Sequence, residues 1–150
     1  MKLAVALHDR ADLQTRISQL RERLLNNAKV QEGDTISEEP EELLKELNQN
    51  CVELESLIRR INHTNNQTMV GEASLVDLLA QKDVLTLKLS ILRAFLEKAS
   101  ARLQRYSSSE LRISSTVNIA EKQKEVDHLA KQLRELDTRI QEINWTTELL

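Results

Sequence analysis

The feature that most constrains this chain is the spacing of its apolar residues, which recur alternately three and four positions apart through four segments. The first segment carries Leu3, Ala6, Arg10, Leu13, Ile17, Leu20, Leu24 and Asn27. The second carries Leu44, Leu47, Cys51, Leu54, Ile58, Ile61 and Asn65. In the third the positions are Leu75, Leu78, Lys82, Leu85, Leu89, Leu92, Leu96, Ala99, Leu103 and Tyr106; in the fourth they are Ile119, Lys122, Val126, Leu129, Leu133, Leu136, Ile140 and Ile143. A mean spacing of about 3.5 residues is the seam of helices that wrap around one another, so each segment predicts a long helix with one buried stripe.

The breaks between segments are as informative. Gly33, Pro40 and Gly71 are the only Gly and Pro residues of the chain, and they mark breaks near residues 30–39 and 66–73. A third break lies at Ser107, Ser108 and Ser109. The alternating stretch from Leu111 to Val117 follows it and predicts a short extended piece. Helix starts are marked by Ser74 with Asp77 and by Asn118 with Glu121, spaced as in a capping box.

The expected fold is all-α: a single helical domain over residues 1–150, with helices near 1–29, 38–65, 74–106 and 118–149. Short connections make neighbouring helices antiparallel, giving two long hairpins in an elongated, coiled-coil-like four-helix bundle. Folding the first pair about residue 34 sets Leu24 by Leu44, Ile17 by Cys51, Leu13 near Leu54 and Ala6 near Ile61. Cys51 is thus expected to be buried. The second pair sets Ala99 by Val126, Leu92 by Leu133 and Leu85 by Ile140. In an up-down-up-down order the extended piece at Leu111–Val117 falls at the end where the first helix runs out. A short strand pairing with Ala28–Gln31 is expected there, or an extended packing contact if the ladder is incomplete.

Composition agrees with this architecture and narrows the function. Among 150 residues, 40% are apolar and 2% aromatic, which excludes collagen-like chains and argues against a sandwich or an open α/β sheet. The lone Cys51 forms no internal disulfide and fits a reducing compartment, so a soluble cytoplasmic protein is expected. The start, MKLAVALHDR, has too short an apolar run for a signal peptide, and no run reaches the roughly 20 residues of a membrane-spanning helix. Residues 1–30 hold six basic and three acidic side chains, and residues 31–72 hold three and ten, so the first two helices attract one another. With net charge -3, an acidic second helix beside the basic first one and only three aromatic residues, no nucleic-acid partner is expected.

Sites of chemistry are sparse. Glu125 and His128 make one Glu-x-x-His, a spacing that di-iron bundles use twice, but both fall off the Val126–Leu129 seam and read as a solvated face. There is no Cys pair for zinc, no glycine-rich phosphate loop and no nucleophile elbow; no catalytic, cofactor or metal site is expected. The run from Asn62 to Gln67 reads as a helix end, or alternatively as a polar pocket with Arg59 and Arg60. A second apolar stripe is the more telling signal. Helix three adds Val76, Ala80, Val84, Leu87, Ile91, Ala94 and Phe95 to its seam, which places it between the hairpins or at a subunit contact. Trp145 and Leu149 lie off the helix-four seam. The candidate oligomer contact is therefore Val84, Leu87, Ile91, Trp145 and Leu149.

The stretches ADLQTRISQLRERLLNNAKVQEG (residues 11–33), RYSSSELRISSTVNIA (105–120) and ELDTRIQEINWTTEL (135–149) resemble an uncharacterised family of small bacterial helical proteins. Some members carry the label septicolysin, which implies a pore-forming toxin. The resemblance implies a bacterial origin and supplies no catalytic residues. The sequence thus favours a non-enzymatic, self-associating interaction or scaffold module, most simply a dimer. A membrane-active toxin-like protein and a bundle binding a metal or small molecule are the alternatives.

Overall fold

A computed structural model describes residues 1–101 and 113–150. The fold is all-α, of helical-bundle class. Its helices are α1 (Leu3–Asn26), α2 (Pro40–Gln67), α3 (Leu75–Ser100) and α4 (Ile119–Thr146). Leu103, Tyr106, the three serines and the first two residues of the expected extended piece lie outside the described residues. Contacts divide the chain into two compact units, Met1–Leu75 with Gln141–Leu150, and Val76–Ile140.

In the first unit α1 and α2 run antiparallel. At one end the Arg23 guanidinium donates to both carboxylate oxygens of Glu38 and lies 3.8 Å from Glu46. The turn is organised by Asn27, which is buried. Its Nδ2 donates to the Arg23 carbonyl, and its Oδ1 accepts from the backbone N–H groups of Ser37 and Glu38. Thus one side chain ends α1 and holds the approach to α2, whose first turn has Pro40 and the acids Glu41 and Glu42, both suited to a helix start. Gly33 takes φ 91° behind Gln31, whose carbonyl accepts from Asp34 N–H. That is the third position of a type II turn, which requires a left-handed residue.

The α1 seam is the one expected: Leu3, Ala6, Leu13, Leu20 and Asn27 are buried, and Arg10, Ile17 and Leu24 half-buried. The α2 seam is rotated by one residue. Leu43, Leu57, Ile61 and Thr64 are buried and Leu47, Asn50 and Leu54 half-buried, whereas Leu44 and Cys51 are exposed. The expected burial of Cys51 opposite Ile17 is therefore incorrect. Both seams share Leu47, Leu54 and Ile61, and the apolar count alone favours the wrong one. Thr64 explains the choice: its hydroxyl donates to the Arg60 carbonyl and accepts from Leu150 N–H, so it is satisfied while fully buried.

The far end of this unit is closed by the chain ends. Leu3 N–H donates to the Thr147 carbonyl, Leu149 N–H to the Met1 carbonyl, and Lys2 and Glu148 form a bridge. The connection from α2 to α3 is a two-stranded hairpin, β1 (Met69–Val70) against β2 (Ala73–Ser74). Gly71, at φ 70°, takes the first central position of its two-residue loop, where a left-handed residue suits a type II′ turn. Leu75 N–H then donates to the Thr68 carbonyl. The expected pairing of Leu111–Val117 with Ala28–Gln31 is not formed by the described residues: neither 113–117 nor 28–31 is strand. Period-two alternation signals half-buried strands, but Ile113 is among the exposed large apolar side chains and has no core face to occupy.

In the second unit α3 and α4 pair through Leu89, Leu96, Val126 and Ala130, flanked by Leu92, Ile119, Leu129 and Leu133. Every described seam position of both helices is buried or half-buried, as expected. Leu96 and Val126 both lie in the buried cluster, Leu92 and Leu133 pack against it, and Ala99 is half-buried. Heptad layers recur, so apolar matching admits several registers; here Lys82 bonds Asp137 across the hairpin and fixes one. Asn118 caps α4 by accepting from Glu121 N–H at 3.1 Å, as its spacing predicts.

Candidate functional site

The outer face of α3 is the most distinctive surface of the chain. At about 100° per residue, Ala80, Val84, Leu87, Ile91 and Phe95 fall within roughly 100° of the helix circumference. The buried Leu85–Leu89–Leu92–Leu96 face is centred about 130° away. Val84, Leu87 and Ile91 keep 67%, 62% and 59% of their surface exposed, and Phe95 keeps 42%. A helix with one face in its own hairpin and a second apolar face in water is built to meet something else.

The flanks of that stripe are charged in an ordered way. Asp77 and Asp83 border its N-terminal half, Lys88 its centre and Lys98 its C-terminal end; all four are exposed. Of the remaining candidate contacts, Trp145 is exposed and lies in the first unit, its ring tilted against His8 at 6.4 Å between centroids. Leu149 is only 8% exposed. Its N–H holds the Met1 carbonyl, so it packs within its own unit and offers no contact surface.

Other clusters are less organised. A groove of about 570 Å³ beside α1 and α2 is lined by Met1, Asp9, Val52, Glu53, Leu57 and Arg60, among others. The polar stretch Asn62–Gln67 is not a dissolving helix end but the last turns of α2. Within it Thr64 docks Leu150; just before it Arg60 donates to the Leu150 carbonyl and Arg59 pairs with Glu55, so Thr64 and Arg60 bind the chain's own tail and Arg59 its own helix. Glu125 is engaged by Lys122, and His128 is exposed beyond the seam. Among the described residues no three His, Cys, Asp or Glu side chains gather as a metal would need, and no helix is long and apolar enough to cross a membrane.

Two electrostatic features hold the first unit. The hydrogen bonds from Arg23 keep the Glu38 carboxyl below its ordinary value, and Glu38 in turn raises Arg23. Glu148 is held down by Lys2 and then by the N-terminal ammonium group.

These elements define an all-α protein of paired helical hairpins with an uncovered apolar helix face. The chain belongs to a family of unknown function (DUF6847), whose profile matches residues 10–149. A crystal structure of a functionally unknown conserved protein from Corynebacterium diphtheriae shares 40% identity with it over 100% of this chain and 99% of that one, with a TM-score of 0.94. No curated protein matches the chain.

Proposed function

We propose that this protein is a non-enzymatic interaction module of the cytoplasm that works by self-association. The observation that carries the reading is the outer stripe of α3: four large apolar side chains in line on a helix whose opposite face is already packed. Isolated exposed apolar residues are ordinary on a soluble protein; a continuous helical row of them is the pattern of a helix-in-groove or helix-on-helix contact. The exposed lone Cys51 suits a reducing compartment, where it stays a thiol.

Sedimentation equilibrium tests this directly, because it reports mass independently of shape. Self-association gives a mass above 17.2 kDa that rises with protein concentration. A mass held at 17.2 kDa up to high concentration contradicts it.

A further inference from the structure

We infer that the partner of the α3 stripe is the α3 stripe of a second copy, laid antiparallel to it about a two-fold axis near Leu87. The inference rests on the self-association proposed above and adds the face, the partner helix and its direction. Three observations point to antiparallel pairing.

The first is charge. The stripe is bordered by Asp77 and Asp83 toward the start of α3 and by Lys98 toward its end, with Lys88 beside its centre at Leu87. Parallel copies would set acids beside acids and lysines beside lysines. Antiparallel copies about Leu87 bring Asp77 of one copy level with Lys98 of the other, and like charges across a contact disfavour the parallel arrangement.

The second is side-chain size. Ala80 lies on the stripe before its centre and Phe95 after it, with Val84, Leu87 and Ile91 between them. Parallel packing would stack Phe95 on Phe95 and leave a thin layer at Ala80. Antiparallel packing brings the bulky ring of one copy toward the small residue of the other, so the layers interdigitate. The third is symmetry. A two-fold contact requires one self-complementary patch, and opposite charges at opposite ends of an apolar row meet that requirement without a second surface.

The test is disulfide formation under mild oxidation, in full-length protein with the exposed native thiol removed by Cys51→Ser. Leu87→Cys lies near the axis and links to itself at high yield. Ala80→Cys and Phe95→Cys each stand well off the axis and are about 22 Å apart along α3 at 1.5 Å per residue. Neither links to itself, but a mixture of the two gives a cross-linked heterodimer. Efficient self-linking of Ala80→Cys shows parallel pairing and overturns the inference. An association constant measured for each variant by sedimentation separates failures. Self-associating protein in which Leu87→Cys does not link keeps the proposed function and rejects this interface. Protein that stays monomeric rejects both. Monomer that instead floats with phosphatidylglycerol vesicles shows the stripe meeting lipid, which also rejects both.

Discussion

In the α1–α2 hairpin the sides turned away from the partner helix carry mostly charged and amide groups, such as Arg16, Gln19 and Glu22 on α1 and Glu42, Gln49 and Glu53 on α2. Leu25, Leu44 and Val52 interrupt them. In the α3–α4 hairpin, α4 follows the same rule, but α3 turns Val84, Leu87, Ile91 and Phe95 outward in a row. The first hairpin is also closed by polar devices at both ends, Asn27 at its turn and Thr64 beside the chain's tail. The second has a purely apolar buried cluster in which Lys82–Asp137 sets the register from the rim. Apolar burial stabilises both, but on α3 the apolar side chains beyond what the hairpin consumes stand in a row.

The sharpest way to break this comparison is to cut each face of α3 separately. Leu89→Ala removes a side chain that is 2% exposed and is expected to lower unfolding free energy by about 2–5 kcal/mol. Val84→Ala on the outer face is expected to change the stability of the isolated monomer by no more than about 0.5 kcal/mol. Urea unfolding of both variants at low protein concentration checks this; equal losses would mean that both faces are packed within one chain.

The polar devices of the first hairpin come next. Thr64→Val keeps the shape but removes the hydroxyl that serves the Arg60 carbonyl and Leu150 N–H, and is expected to cost about 1–2 kcal/mol in chemical denaturation. Asn50→Leu is expected to do the opposite. Its Nδ2 is buried on the α2 seam without a hydrogen-bond partner, so an apolar replacement of similar size gains about 1 kcal/mol.

A smaller effect concerns acid. Glu38 and Glu148 both lie below the ordinary carboxyl value of 4.5 in the folded chain. A carboxyl depressed on folding contributes its full stabilisation above its unfolded value and loses it as pH falls through the folded one. Stability of the first unit therefore declines as pH drops below about 4.5, and Glu38→Gln flattens that decline; Arg23, whose value is raised, stays charged throughout. Unfolding midpoints measured from pH 7 to pH 3 check the slope.

How much of this could be read from residues alone differs between the same two regions. The inward faces of α1, α3 and α4 follow directly from the three–four spacing, and Asn118–Glu121 marks the start of α4 as written. On α2 the spacing misleads, because Leu43–Leu44 and Leu57–Ile58 offer apolar residues on both candidate seams and Cys51 outweighs Asn50 in any apolar count. What decides is Thr64, whose partner Leu150 lies 86 residues away and has no local signature. The hairpin at Met69–Ser74 is two residues per strand, too short for any periodicity, although Gly71 marks its turn. The outer stripe of α3 is legible as a second apolar row; that α3 leaves it uncovered within one chain becomes visible only with the structure.

The central claim is that the two faces of α3 do two different jobs, folding inside the chain and association outside it. The most direct measurement is the thermal midpoint as a function of protein concentration, because association of folded copies makes that midpoint rise with concentration. The account predicts a rising midpoint for the natural chain and a flat one for the double variant Leu87→Glu, Ile91→Glu, with the two curves converging at low concentration. A flat midpoint in the natural chain, or a concentration dependence that survives the double variant unchanged, would contradict it.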